Sequence, residues 1–585
     1  MSKCIISLVW SLSCCLIFSC ETAHSQTDYT IKSVERSTIH PNKLPYNIIL
    51  IINDQETYHL AAAQGYELPA RQILMQRGVT FRNHYTAAAM CSPSRATFLT
   101  GVPPQINGVF DQMEYPFVPD LNPHRANMGS MLKSLGYRTA YFGKFEMDKA
   151  LLIDIKDTTN YSTLAKPYGF DHFNPDGDVG GTPLQGYKDD VYFVGEALRW
   201  LRENASNTSK PHQPFFLVIS LLNPHDIMYA DANLPQLPPV QKAVAPVIFP
   251  PPTNLIYAKH WQFALTPSLQ DSLSAPGMPQ ALLQYQTGWS ETFGYIPSDR
   301  KDMWQVYYNY YLNAIRDNDQ RLQQIIDAMN EMDLWKNTIV ILTADHGDMG
   351  GAHGGLRGKG PMAYEENAHI PLIIDHPHAP PGTSCFSLTS HLDLLPTLVG
   401  LTGAPAEKRL ALTKELPGHD FSSLLTHPEE MSMRAIRPAV LFNYVGISTI
   451  DAKYLFNKMA STYLHKPVPP LTEIDLNKKG FLSFIFDGRY KFARYYAPNA
   501  FNTPQTLEDI LKYNEIQLFD LKTDPNERQN LALAPEKNKA LILRMNNLLN
   551  EMIAKEVGVN DGRFLPESVR PKTPPLTLSS ENIKQ

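Results

Sequence analysis

The chain has 585 residues, 43% hydrophobic and 19% charged, with 52 Lys and Arg against 58 Asp and Glu for a net charge of -6. That is globular composition with length for about two to four domains. A negative chain without a basic block argues against a nucleic-acid partner, and an anionic ligand would have to meet positive charge gathered locally.

Lys3 and the apolar run Ile5–Phe18 read as an export signal over residues 1–25, too short for a membrane span. Two processing routes stay open. Ala23-His24-Ser25 has the form of an ordinary cleavage site, and Ile17-Phe18-Ser19-Cys20 loosely resembles a lipobox that would place a lipid anchor on Cys20. The expected destination is the periplasm, the cell surface or the medium, with no transmembrane span in the mature protein. Four of the six cysteines fall in this segment, leaving Cys91 and Cys385 and no disulfide framework.

Tyr46–Gln55 is an apolar run ending in Asn53-Asp54-Gln55, the pattern of a buried parallel strand whose C-terminal end reaches a site. A helix is predicted over Pro69–Arg77, stopped by Gly78. Then comes Cys91-Ser92-Pro93-Ser94-Arg95-Ala96-Thr97-Phe98-Leu99-Thr100-Gly101. Pro93 suits a first helical position with Cys91 just before it, so the thiol would stand at the positive end of a helix, with Arg95 one turn in. Met128–Leu135 reads as a helix and Tyr137–Lys144 as a core strand. Residues 191–203 have helical spacing, and Pro214–His225 is another buried strand with His225 at its end.

Residues 231–300 are proline-dense and read as loops shaping the mouth of the site, with Trp261, Tyr285, Trp289 and Tyr295 available for sugar stacking or for ordinary packing. A long helix over Met303–Asp333 carries the stripe Tyr307, Tyr311, Ile315, Leu322, Ile326 and Met329, read as core. Thr338–Gly347 is an apolar strand ending in Asp345-His346, followed by a glycine-rich loop, Gly350–Gly360, that holds Lys359. Ile370–Ile374 is a further strand, and His391–Leu401 resembles a helix of the family named below. From about 430 the pattern changes: residues 438–447 and 481–493 look like strands of a smaller antiparallel sheet, with a helix over 535–556 packed on it and a loose tail after 563. Taken singly, Asp54 is as readily a capping aspartate, Lys144 a solvated lysine and His225 a structural histidine.

Together, in this order, the segments resemble the type I, formylglycine-dependent sulfatases of the alkaline phosphatase superfamily. The Cys-x-Pro-Ser-Arg signature stands at 91–95, and Gly136-Tyr137-Arg138-Thr139-Ala140 with Gly143-Lys144 matches a second family segment. The resemblance implies an α/β fold, a large mixed and mostly parallel sheet sandwiched by helices, with a smaller C-terminal α+β domain carrying an antiparallel sheet. It implies a catalytic domain over 26–430, a subdomain over 431–562 and a tail over 563–585. Cys91 would be oxidised to formylglycine by the formylglycine-generating enzyme, and its hydrate would attack sulfur and later expel sulfate. Lys144, His225 and Lys359 would hold sulfate and leaving-group oxygens, and Arg95 would hold either the reacting group's oxygens or the aldehyde hydrate. Asp54, Gln55, Cys91, Asp345 and His346 would surround one divalent metal, calcium first on its oxygen ligands, with magnesium or manganese open. The chain departs from the family at Glu146, where a histidine is usual; a carboxylate there can also take a proton. The expected activity is hydrolysis of sulfate esters, of a small molecule or more specifically of a sulfated carbohydrate. A phosphonate or phosphodiester hydrolase and an inactive sulfated-glycan binder are the alternatives.

Overall fold

The computed structural model describes residues 45–60, 63–152, 160–205, 213–236, 238 and 247–572. The export signal and Cys20 lie outside them. Eight strands make one sheet: β1 (Asn47–Asp54), β2 (Val79–Tyr85), β3 (Arg138–Gly143), β4 (His172–Phe173), β5 (Phe215–Pro224), β6 (Thr338–Ala344), β7 (Leu372–Asp375) and β8 (Thr383–Ser390). Their order is β4-β3-β5-β1-β6-β7-β2-β8, and β7 alone runs against its neighbours.

Successive strand residues point to opposite faces, so a strand buried on both sides must be apolar throughout. β1 follows this rule: Ile48, Leu50 and Ile52 enter one core with Phe216, Val218, Ile339 and Ile341. Ile49 and Ile51 enter the other with Leu217, Ile219, Val340 and Leu342. Helices Cys91–Thr100, Met128–Ser134 and His391–Leu401 cover the first face. Helices Pro69–Arg77, Gln185–Asn204 and Lys301–Glu331 cover the second. The stripe on the long helix is buried as expected and bridges two clusters, Tyr307, Tyr311 and Ile315 in one and Leu322, Ile326 and Met329 in the other.

Four strands, β9 (Val440–Tyr444), β10 (Phe481–Phe486), β11 (Tyr490–Tyr496) and β12 (Glu515–Asp520), form an antiparallel sheet in the order β12-β11-β10-β9. The segment read as one strand over 481–493 is therefore a hairpin. One face of this sheet packs on Tyr85, Ala89 and Met90. The other is covered by helix Lys539–Glu556. The Asn443 N–H donates to the Ala87 carbonyl at 2.9 Å, so the second sheet braces the segment that carries Cys91. Residues 563–572 are not loose: Leu565 and Val569 are buried in the main core, because their apolar side chains find a place beside Phe501 and Phe110.

The proline-rich stretch also differs from its reading. It contains a regular helix, Gln280–Phe293. Trp261 is buried against the long helix, its indole N–H donating to Asn313 at 3.0 Å, so it is core and not mouth. Tyr285 is buried and donates to the Lys359 carbonyl at 2.8 Å, while Tyr295 faces solvent.

Candidate active site

The C-terminal ends of β1, β3, β5 and β6 lie side by side, and each delivers a polar residue to one point: Asp54, Lys144, His225 and Asp345. This is the edge at which parallel sheets bind ligands. Cys91 arrives from β2 through the braced segment. Its helix begins at Cys91 itself, with Met90 as N-cap and Pro93 at the third position. Proline is tolerated there because the first-turn N–H groups have no partner within the helix. Cys91 Sγ lies 3.3 Å from His346 Nε2 and 3.7 Å from Asp54 Oδ1.

Arg95 joins the two carboxylates. Its Nη2 stands 3.0 Å from Asp54 Oδ2 and 3.1 Å from Asp345 Oδ2, and its Nη1 donates to the Lys144 carbonyl and Ser220 Oγ, both at 2.7 Å. Lys144 Nζ is 2.9 Å from Asp54 Oδ2. Burial alone would raise the pKa of Asp54, but Lys144, His225, Arg95 and Lys359 hold it well below the usual carboxylate range. Cys91 goes the other way: burial first, then the Asp54 charge, push the thiol up. An unmodified Cys91 would thus stay protonated at neutral pH, a poor nucleophile.

Asp54 Oδ1, Cys91 Sγ, Asp345 Oδ2 and His346 Nε2 belong to one buried cluster whose ligand atoms lie within 4.8 Å of one another. The donor set fits a divalent cation. His346 Nδ1 is 3.0 Å from the Gly347 carbonyl, an arrangement that places the proton on Nδ1 and turns the Nε2 lone pair inward. Burial also keeps this imidazole below its ordinary pKa, in the neutral form a metal requires. Gln55 follows Asp54 in a left-handed backbone conformation, φ 70°. Its amide nitrogen donates to Asp348 Oδ2 at 2.6 Å, which leaves Oε1 to accept from Lys359.

Glu146 is fully buried, also with positive φ, 56°. Its Oε1 is 3.4 Å from Lys144 Nζ and 3.5 Å from the Gln112 amide, and its Oε2 is 4.0 Å from Arg95 Nε. Burial raises its pKa well above the usual range, against Lys144 and Arg95. The sequence reading did not find Asp178, which accepts from the N–H groups of Phe145, Glu146 and Val179 and so fixes this turn. It also missed Asp348, which accepts from the N–H groups of Gly350 and Gly358 and folds the glycine loop so that Lys359 returns to the site. The signal for Asp348 was its place between Gly347 and Gly350; Asp178 had none.

A cavity of about 230 Å³ reaches the site at His225 and Lys359 and is lined also by Gly181, Trp289 and Lys458 among others. Of the four aromatics named from sequence, Trp289 alone lines it. Gly181 has φ 75°, and a Cβ there would stand 2.9 Å from His225 Cε1 and 3.0 Å from Lys144 Nζ. His225 Nδ1 is buried and finds no hydrogen-bond partner among the described residues. The arrangement is a small basic cradle beside two carboxylates and a helix N-terminus. Such a cradle suits a tetrahedral anion.

The comparisons agree with this geometry. The Sulfatase family model matches residues 46–404. Arylsulfatase K of Canis lupus familiaris is 24% identical over 526 residues, covering 86% of this chain and 82% of its own. The Delta 4,5-hexuronate-2-O-sulfatase of Bacteroides thetaiotaomicron is 24% identical over 509 residues, covering 85% of this chain and 86% of its own. A solved structure described as a 2-O GAG sulfatase shares the fold with a TM-score of 0.61 at 20% identity, over 91% of this chain and 98% of its own. With the signature cysteine, the basic cradle and the family match falling on the same sheet edge, the chain belongs to the type I sulfatase family and is a sulfuric ester hydrolase.

Proposed function

We propose that the protein is an exported sulfatase that removes sulfate from a sulfated carbohydrate, using formylglycine made from Cys91 and one divalent cation held by Asp54, Asp345 and His346, while Gln55, expected from sequence as a further ligand, is engaged by Lys359 and Asp348 instead. The observation that carries this reading is the position of Cys91: first in its helix, 3.3 Å from His346 Nε2 and 3.7 Å from Asp54 Oδ1. The formylglycine hydrate would supply the attacking oxygen, and the cation would supply positive charge for the sulfate oxygens.

The chain's own residues then divide the work. Lys144 and His225, on either side of Gly181, hold sulfate oxygens. Lys359 reaches the leaving oxygen, kept in place by Gln55 and by the Tyr285 contact to its carbonyl. Arg95 fixes Asp54 and Asp345 against each other, a positioning role given how its terminal nitrogens are occupied. Glu146 is the group placed to hold a proton at its carboxyl oxygens as sulfate departs. A saccharide substrate is supported by the cavity wall of Trp289, Tyr229 and Phe293, and by a relative named for hexuronate 2-O-sulfate.

The test is release of inorganic sulfate from a panel of sulfated sugars and an aryl sulfate, with matched phosphate esters and phosphonates in parallel. Sulfate release that disappears in Cys91→Ala supports the reading. Turnover of the phosphorus esters alone, or none of any kind in protein whose Cys91 is converted, overturns it.

A further inference from the structure

The cavity has a second basic end that the reaction does not use. Helix Ala452–Tyr463, capped by the Asp451 carboxylate, comes from the C-terminal part of the chain and sends Lys458 to the cavity wall. Lys458 is 1% exposed. Its Nζ donates to Tyr115 Oη at 2.5 Å and lies 3.9 Å from the centre of the Tyr115 ring. Asp111 and Glu114 are the nearby acids, yet among the described residues neither closes an ion pair with it. Asp111 is occupied instead with the backbone N–H and hydroxyl of Ser448 and the N–H of Gln112. Glu114, on the cavity rim, is exposed to water.

A buried ammonium without a carboxylate costs free energy that an anion entering the cavity would recover. Burial accordingly holds the Lys458 amine down to about 8, still largely protonated at pH 7. Tyr115 adds a hydroxyl and a ring face that keep the ammonium aimed. His225 and Lys359 line the same cavity, which has room for about one sugar ring.

The geometry points to a second anion subsite formed by Lys458 and Tyr115, one that takes a carboxylate or a further sulfate ester on the same sugar whose sulfate ester reaches His225 and Lys359. It rests on the reading of the cavity as the saccharide site and makes the substrate an acidic or multiply sulfated saccharide. Glu114 at the rim then favours sugars that project their second anion inward.

Binding separates this from the chemistry. Calorimetry on the full chain carrying Cys91→Ala would compare a 2-O-sulfated hexuronic acid, a disulfated hexosamine and a singly sulfated neutral hexose. The doubly charged sugars should bind tighter than the neutral one, and Lys458→Met should weaken that preference by roughly ten- to a hundredfold, the range for a hydrogen bond to a charged group. Lys458→Arg should keep most of it. Which doubly charged sugar responds tells carboxylate from second sulfate. Equal losses on charged and neutral sugars, no preference in the parent protein, or no binding of any of the three at millimolar concentration would overturn the subsite. Sulfate release from a simple aryl sulfate decides the reaction itself, so a failure of one claim is distinguishable from a failure of the other.

Discussion

Cys91 Sγ sits 3.3 Å from His346 Nε2, across 255 residues of chain, and the other nitrogen of that histidine is tied to the Gly347 carbonyl. The contact joins the proposed nucleophile to the proposed metal ligands, and it sets the first expectation. Cys91→Ala should abolish sulfate release while leaving the thermal transition nearly unchanged, since the residue is small and the loss is a single buried atom. Protein from cells with the converting enzyme should carry a residue about 18 Da lighter than cysteine at position 91. Peptide mass spectrometry reads this directly, and an intact cysteine in active protein would refute it.

Asp54 and Asp345 follow directly on the paired ends of β1 and β6, Arg95 bridges their carboxylates, and we propose that a cation faces them. Asp345→Asn and His346→Ala should each lower the metal content of purified protein, measured by elemental analysis, and depress kcat. Thorough chelation should do the same reversibly. Full activity in protein verified to be metal-free would end the metal assignment.

Gly181→Ala inserts a methyl group 3.0 Å from Lys144 Nζ and 2.9 Å from His225 Cε1, at φ 75°. We expect a folded protein with kcat/KM lowered about tenfold or more, since cradle residues displaced by a fraction of an ångström lose transition-state contacts. Wild-type kinetics in this variant would show that the sulfate does not lie between these two side chains.

Glu146→Gln keeps the shape of the side chain and removes its base. Alcohol should then leave in a burst comparable to the enzyme concentration, while sulfate release lags. To accept a proton the carboxyl must be ionised, and its pKa is raised by burial. Wild-type sulfate release should therefore climb with pH through that raised value, and the variant should lose this limb. Identical pH profiles in stopped-flow assays of the two proteins would assign the proton to another group.

Arg437 is buried between Asp393 at 2.6 Å and Glu556 at 3.1 Å, linking the helix that begins at His391 to the last helix. Arg437→Met leaves both acids uncompensated and should cost about 3–5 kcal/mol, seen as a lowered Tm. Burial raises Glu556 to about 7 in the fold, against about 4.3 unfolded. The folded state holds its proton more tightly, so this group's contribution is present at acidic pH and is lost as pH rises through about 7. Glu556→Gln should flatten that part of the Tm profile; an unchanged profile would refute the assignment.

The sequence by itself determined the central strands, because burial on both faces demands unbroken apolar runs such as Ile48–Ile52, and their polar ends marked Asp54 and Asp345. It determined the bounds of the helix Pro69–Arg77, where local spacing and a breaker suffice, and a helix after the cysteine, which begins two residues earlier than Pro93 suggested. It did not reveal β2 and β8, whose polar-bearing sequences VTFRNHY and TSCFSLTS lack any such run. Only the tertiary structure decided that Trp261 is core and Trp289 is cavity wall, that Asp348 and Asp178 set the turns of Lys359 and Glu146, and that Lys458 reaches the cavity from far along the chain. Periodicity and turn chemistry are written into neighbouring residues, whereas the meeting of distant side chains depends on how the sheet order and the two cores close, which no local stretch encodes.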